Sequence, residues 1–251
     1  MENDLVTIIT PSYNTAKFIK ETIQSVLNQS YKNWEMIIID DCSQDDTKQI
    51  ISLYNDDRIK FYINDRNSGA AISRNNAISI AKGKWIAFLD SDDLWDKDKL
   101  ALQVSFMKEN NYHFSYTDYR EIDETGKIIN PRIAGPSKIS KLLMFCYCWP
   151  GCLTVMYDAE YVGKIQINNL EKNNDYAMWL KVIKKCNCYR LNDCLGSYRK
   201  RNGSISNISK IKLIKFHYRL FRYGENFNTL YSFLFTINNI FFGLVKKIKY
   251  K

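Results

Sequence analysis

The sequence predicts an α/β fold: a mostly parallel central sheet flanked by helices, with a C-terminal amphipathic helical tail. Three observations carry that prediction. The first is a set of short, almost wholly apolar runs at residues 5–10, 34–39 and 85–89, which read as strands buried on both faces. The second is what separates them: segments of helical period alternate with the runs through short joints, the pattern of parallel strand–helix–strand units. The third is how the runs end. They stop in polar or acidic knots, Pro11-Ser12-Tyr13-Asn14, Asp40-Asp41 and Asp90-Ser91-Asp92-Asp93. In a parallel sheet the C-terminal strand ends share one edge, so these knots should converge on a single cleft, joined by Asn67-Ser68-Gly69.

Each element has a local reason. Pro11 breaks the first strand. Apolar residues then recur at Phe18, Ile19, Ile23, Val26 and Leu27 with helical spacing, and Thr15 is placed to cap that helix. The second strand ends in Asp40 and Asp41, and Asp45 and Asp46 open a helix reaching residue 54. Residues 58–63 form the third strand, Asn67-Ser68-Gly69 a turn, and residues 70–81 a helix of small side chains closed by Gly83. Residues 85–89 are the fourth strand. Beyond the acidic knot, residues 100–108 read as helix, 113–119 as strand, 123–126 as a hairpin turn and 130–135 as loop. A short helix at 139–145, an apolar strand at 153–157, and a helix at 175–185 with Met178, Trp179, Val182 and Ile183 inward follow. Residues 199–206 are a polar loop, and the tail begins at 209.

Composition narrows the classes. Of 251 residues, 45% are hydrophobic and 25% charged, as in ordinary globular proteins. Met1-Glu2-Asn3-Asp4 is acidic and leads straight into a strand, so no secretory signal is expected. The net charge of +9 is localised: residues 209–251 carry nine Lys or Arg against Glu225, and the first 198 residues net −2. A body of that charge argues against nucleic-acid binding and for a charged appendage. The seven cysteines include no CxxC pair and are accompanied by two histidines, which favours buried thiols in a reducing cytosol over a metal cluster.

The tail itself is two-sided. Lys212, Lys215, Arg219 and Arg222 share one sector of a helix, with Ile211, Ile214, Tyr218 and Phe221 alongside. After Gly224, residues Leu230, Phe233, Leu234, Ile237, Phe241 and Leu244 form one apolar stripe. Asn228, Asn238 and Asn239 make the second segment too polar to span a bilayer. An interfacial helix pair on anionic lipid is the reading adopted; a lid on the core or a homodimer contact is the alternative.

The chemistry concentrates in the knots. Asp90 and Asp92 stand two residues apart on an extended chain, so both face one way and repel unless a divalent cation or hydroxyls lie between them. A solvated turn before a helix N-terminus is the bland alternative. Neither GxGxxG nor GxxxxGK[ST] occurs, so a diphosphate would need a metal rather than a glycine cradle. Tyr13 offers an aromatic face to a base, Asp41 an acceptor for the ring N–H of uracil or guanine, and Arg74 a cation one helical turn beyond Gly69.

In order and context, Thr7-Ile-Ile-Thr-Pro-Ser-Tyr-Asn14, Ile39-Asp-Asp-Cys-Ser43, Asn67-Ser-Gly, Ser73-Arg-Asn75 and Leu89-Asp-Ser-Asp-Asp-Leu-Trp95 resemble the family 2 glycosyltransferases, inverting enzymes of the Rossmann-like GT-A fold. The resemblance implies one domain at 1–208, with a nucleotide-binding half at 1–110 and an acceptor-binding half at 111–208. It implies a base pocket at Pro11 and Tyr13, Asp41 on the base, and Arg74 near the base or diphosphate, with Asn14, Asn67 and Ser91 in the same nucleotide site. Asp90 would meet the ribose and Asp92 the metal, with Asp93 the alternative ligand; Mn²⁺ or Mg²⁺ would neutralise the departing diphosphate. Asp175, at the family's distance from Trp179, would be the general base, although Asn174 precedes it where the family has an acid; Glu171 is the runner-up. Arg201 stands where the family often has histidine. An arginine cannot ligate a cation but can hold a phosphate oxygen.

The expected partners are a nucleotide-sugar donor, a UDP-sugar, and a glycan or lipid-linked glycan acceptor. The expected location is cytoplasmic, on the inner face of the cell membrane through residues 209–251. A sugar nucleotidyltransferase and a catalytically inert nucleotide- or glycan-binding module are the alternative functions.

Overall fold

The computed structural model describes residues 4–170, 172–201 and 210–250. In chain order the first half runs β1 (Val6–Ser12), α1 (Ile19–Leu27), β2 (Trp34–Asp40), α2 (Thr47–Ser52), β3 (Ile59–Ile63), α3 (Ala70–Ile80) and β4 (Trp85–Phe88). These strands lie in the order β3-β2-β1-β4, every neighbouring pair parallel. Their two-sided burial is explicit. Val6, Ile8, Met36, Ile38, Trp85 and Ala87 belong to one apolar cluster. The intervening Ile9, Ile37, Ile39, Ile86 and Phe88 belong to the other. This is why the runs show no polar alternation.

Pro11 does not break β1, which continues to Ser12 beside β2. The Ser12 carbonyl accepts from Asp41 N–H at 2.8 Å, so strand alternation turns the Pro11 nitrogen toward β4. The β1–β4 ladder has already ended at Ile9 and Phe88, and no donor is needed there. Thr15 does not cap α1 with its side chain: its hydroxyl pairs with Ser12 Oγ at 2.9 Å. Gly83 is required by close approach rather than as a helix stop. A Cβ there would lie 2.6 Å from both Leu5 O and Thr7 N.

The second half adds β5 (Leu94–Trp95), α4 (Lys99–Glu109), β6 (Phe114–Ile122), β7 (Ile128–Ile133), β8 (Lys138–Ile139) and α5 (Lys141–Cys146). A 3₁₀ turn (Cys152–Thr154), β9 (Met156–Asp158), α6 (Ala159–Val162), α7 (Asn174–Val182) and β10 (Cys188–Arg199) follow. β9 runs antiparallel between β4 and β6, β10 is parallel to β6, and β5 is antiparallel to β10. One mixed sheet thus continues from β3 to β5 across both halves of the chain.

Two departures from expectation lie here. Residues 130–135, expected as loop, are largely β7, an edge strand paired to β6, where Pro131 is tolerated. β10 was not anticipated at all. Beyond Arg199, its last residue, the expected polar loop is described only to residue 201.

The tail consists of α8 (Lys210–Arg219), a π turn (Leu220–Gly224) and α9 (Thr229–Lys249). Its inner side is part of the core. Leu220 and Phe221 are fully buried, and Phe227, Phe235, Phe242 and Tyr250 pack against α5 and its neighbours. Asn239 Nδ2 donates to the Tyr176 hydroxyl at 2.9 Å, and Lys246 Nζ to the Trp149 carbonyl at 2.7 Å. The outer side carries Leu230, Phe233, Leu234, Ile237, Phe241 and Leu244, all exposed. Among the described residues no helix is long and apolar enough to cross a membrane.

Candidate active site

The knots do meet at one edge of the sheet, and each is built by side chains of its neighbours. After β1, Asn14 adopts φ 50°, its N–H donates to Ser43 Oγ at 2.9 Å and its Oδ1 accepts from Gln44 N–H at 2.8 Å. Asn14 therefore ties the first knot to the second and leaves Tyr13 presented outward, 44% exposed. Pro11 is buried beneath it. After β2, the buried Asp40 accepts from the Ser43 N–H and hydroxyl. Asp41 is 4% exposed, and its carboxylate accepts from Ser68 N–H (2.9 Å), Gly69 N–H (2.6 Å) and Asn64 Nδ2 (2.7 Å). It staples the turn that leads into α3, a turn that needs glycine because Gly69 has φ 89°. An ionised carboxylate accepts at about four sites, so a base N–H would have to use what remains. Asn67 is exposed on the same turn.

The acidic loop after β4 is met by arginines. Arg74, from α3, is buried and pairs with Asp90 Oδ1 at 2.5 Å; the carboxylates of Asp90 and Asp175 favour its charged form against the cost of burial. Ser91 is buried. Asp92 Oδ2 lies 2.8 Å from Arg201 Nε. Burial raises the Asp92 carboxyl above its ordinary value, and Arg201 pulls the other way. Asp93, 1% exposed, accepts the Arg199 N–H through Oδ1 at 2.9 Å, while its buried Oδ2 has no partner among the described residues. Burial first, then the charges of Asp92 and Asp90, push this carboxyl well above the usual range.

Arg199 is the scaffold of the loop. It is 1% exposed, and its side chain donates to Asp92 O (2.9 Å), Glu124 O (3.1 Å) and Glu21 (2.5 Å) beside the Phe18 ring. The sequence offered no sign of this role, because the strand that delivers Arg199 was itself unrecognised.

Asp175 sits at the N-terminal turn of α7, behind Asn173 in the left-handed region at φ 60°. Its Oδ1 accepts from Tyr176 N–H at 2.8 Å. Burial raises its pKa, Arg74 opposes that rise, and Asp90 adds to it. Asp175 and Asp90 are thus electrostatic neighbours across one guanidinium, with Cys152 beside them as a thiol that burial keeps protonated. Glu171 lies outside the described residues.

For a divalent ion the protein donors are few. Among the described residues, no cluster of three or more His, Cys, Asp or Glu side chains forms a metal site. One or two carboxylates plus substrate phosphates is nonetheless an ordinary set for Mg²⁺. The Asp93 Oδ2 fits that set, as does the Asp92 carboxylate, which in this structure is engaged by Arg201.

This sheet, with its acidic loop at the strand ends, defines a glycosyltransferase of the GT-A fold. Residues 7–156 match the profile "Glycosyl transferase family 2", and the chain belongs to that family. It is 45% identical over 206 residues to TuaG of Bacillus subtilis, a glycosyltransferase named provisionally for teichuronic acid biosynthesis, covering 81% of this chain and 82% of that one. It is 40% identical over 218 residues to Escherichia coli WfgD, named a UDP-Glc:α-D-GlcNAc-diphosphoundecaprenol β-1,3-glucosyltransferase, covering 86% and 84%. Among solved structures, S. aureus TarS 1-349 in complex with UDP-GlcNAc superposes with a TM-score of 0.72 at 21% identity, over 92% of this chain and 71% of that one. At that identity the likeness speaks for the fold.

Proposed function

We propose that this chain transfers a sugar, with inversion, from a UDP-sugar to a hydroxyl of a lipid-linked glycan at the inner face of the cell membrane. The observation that carries the reading is Arg74, buried, paired with Asp90 at 2.5 Å and within electrostatic reach of Asp175, which links the strand-end carboxylates to the helix that bears the candidate base. The names of WfgD and its Escherichia coli relative WfaP, 39% identical over 238 residues, support the donor and acceptor classes.

Tyr13 presents an exposed aromatic face for the base, with the buried Pro11 supporting that knot and Asn14, Asn67 and Asp41 around it, while Asp90 and Ser91 face the ribose. Mn²⁺ or Mg²⁺, held by Asp92 with Asp93 as the alternative ligand, supplies Lewis-acid neutralisation of the diphosphate when bound. Asp175 removes the proton from the acceptor hydroxyl as its oxygen attacks the anomeric carbon on the face opposite the diphosphate; the bond to the diphosphate oxygen breaks, and UDP leaves. The Arg74 charge partly offsets the rise that burial gives the Asp175 pKa. The outward stripe of α9, with Lys212, Lys215, Arg219 and Arg222 nearby, meets anionic lipid and brings the acceptor's membrane to the site.

The test is incubation with labelled UDP-sugars and a short-chain GlcNAc-diphospholipid in Mn²⁺, followed by NMR of the product's anomeric configuration. A β-linked product from an α-linked donor is expected. A protein that neither binds nor turns over any of a panel of UDP-sugars overturns the reading.

A further inference from the structure

We propose that Arg201 is a movable counter-charge for the donor diphosphate: without donor it is parked on Asp92, and donor binding draws its guanidinium from that carboxylate to a diphosphate oxygen. The inference rests on the UDP-sugar reading above and goes beyond it by assigning a specific cation and a specific exchange.

The acidic loop sets up the argument. Asp90 pairs with Arg74 and Asp92 with Arg201, while Asp93 accepts the main-chain N–H of Arg199, whose guanidinium is turned to Asp92 O and Glu21. With Glu21 against Arg199 and Asp175 within electrostatic reach of Arg74, carboxyl groups outnumber guanidinium groups here. An incoming diphosphate adds negative charge, and one of these cations must turn to face it. Arg74 is buried on Asp90. Arg199 is 1% exposed and tied to Asp92 O, Glu124 O and Glu21. Arg201 differs from both. Its side chain is 31% exposed, and it meets Asp92 through Nε at 2.8 Å near the rim of the Phe18 ring, 6.0 Å from the centroid.

The same contact explains why Arg201 must move. Asp92 is also the carboxylate assigned to the divalent ion, and one carboxylate cannot serve a metal and a guanidinium without the two cations repelling. A diphosphate oxygen gives Arg201 a better acceptor, because a guanidinium fork matches phosphate geometry. The anchor for the movement is fixed: the Arg199 N–H is bonded to Asp93 two residues away, so Arg201 swings from a set point at the base of the loop.

Calorimetric titration with UDP and with uridine, each in EDTA and in Mn²⁺, tests the proposal on wild type, Arg201→Ala, Arg201→Lys and Asp92→Asn. In EDTA, Arg201→Ala should lose about 10- to 100-fold in UDP affinity, the loss of one charge-assisted hydrogen bond, with uridine affinity unchanged. Arg201→Lys should recover part of it. Asp92→Asn, which removes the parking place, should bind UDP in EDTA at least as tightly as wild type while losing the gain from Mn²⁺. UDP affinity of Arg201→Ala in EDTA within about twofold of wild type overturns the diphosphate role. Weaker metal-free binding by Asp92→Asn overturns the parking. A wild-type protein that binds neither UDP nor uridine defeats the donor reading itself, and this proposal with it.

Discussion

Replacing Asp175 by asparagine keeps the side chain's shape and removes its capacity to take a proton. If Asp175 is the base, transfer should fall by about 10²- to 10⁴-fold, the usual worth of a positioned general base. The structure makes an unusual companion prediction about stability. Burial raises the Asp175 pKa above its ordinary value of 3.8, so the protonated form favours the fold. That contribution is complete below the unfolded-state pKa and is lost as pH rises through the higher folded-state pKa. At neutral pH the ionised carboxylate is therefore a cost, which asparagine does not bear. Arg74 keeps its Asp90 partner at 2.5 Å, so no buried cation is orphaned. Asp175→Asn should melt at or above the wild-type temperature at pH 7, while UDP affinity persists. Wild-type transfer should rise with pH through the raised carboxyl pKa and then level, and the variant should lack that limb. The assays are single-turnover transfer between pH 4 and 8 and thermal melts over the same range. Transfer within about tenfold of wild type would refute the base assignment. A fall in melting temperature beyond about 5 °C would show that the side chain is structural.

Four further outcomes follow from the same geometry. Asp92→Ala should lower transfer by about 10²-fold or more and weaken Mn²⁺-dependent UDP binding, which full activity in EDTA would contradict. Serine at Phe233, Phe241 and Leu244, on the outward face of α9, should abolish co-sedimentation with anionic liposomes while turnover of a short soluble acceptor survives; unchanged partitioning at high and low salt would end the membrane reading. Deletion of residues 209–251 should instead give insoluble protein, because it uncovers the apolar cluster around Phe145 and Tyr176. Gly83→Ala should destabilise by about 1–3 kcal/mol in urea unfolding, since its Cβ would meet main-chain atoms that cannot step aside.

What was legible from sequence, and what was not, divides along the sheet. β1, β2 and β4 announce themselves because parallel strands covered on both faces must be apolar throughout. β10 hides because its residues Tyr189, Arg190, Asn192 and Asp193 are only partly covered or exposed, and because bulges interrupt its register with β6 between Leu191, Cys194 and Ser197. Its stability comes from pairing with a strand some seventy residues earlier, which no local window contains. The site divides the same way. The carboxylates of the acidic loop stand next to one another in sequence and could be read together. Their partners Arg199 and Arg201 lie more than a hundred residues away and join them only through β10. Asp41 shows a subtler limit: its place beside the cleft was readable, whereas its three internal hydrogen bonds depended on where the turn at Ser68 and Gly69 would fall.

The tie between Arg199 and the acidic loop fixes when this site can exist during synthesis. Asp92 and Asp93 leave the ribosome long before Arg199, and β5, which follows them, has no strand to pair with until β10 emerges. A nascent chain stopped near residue 110 exposes three neighbouring carboxylates with only Arg74 to answer them. The first 110 residues by themselves therefore lack the strand to which their acidic loop is tied. Fragments split after residue 110 should regain UDP binding only when the second piece carries β10 and the residues from Tyr198 to Arg201 that carry the acidic loop's contacts.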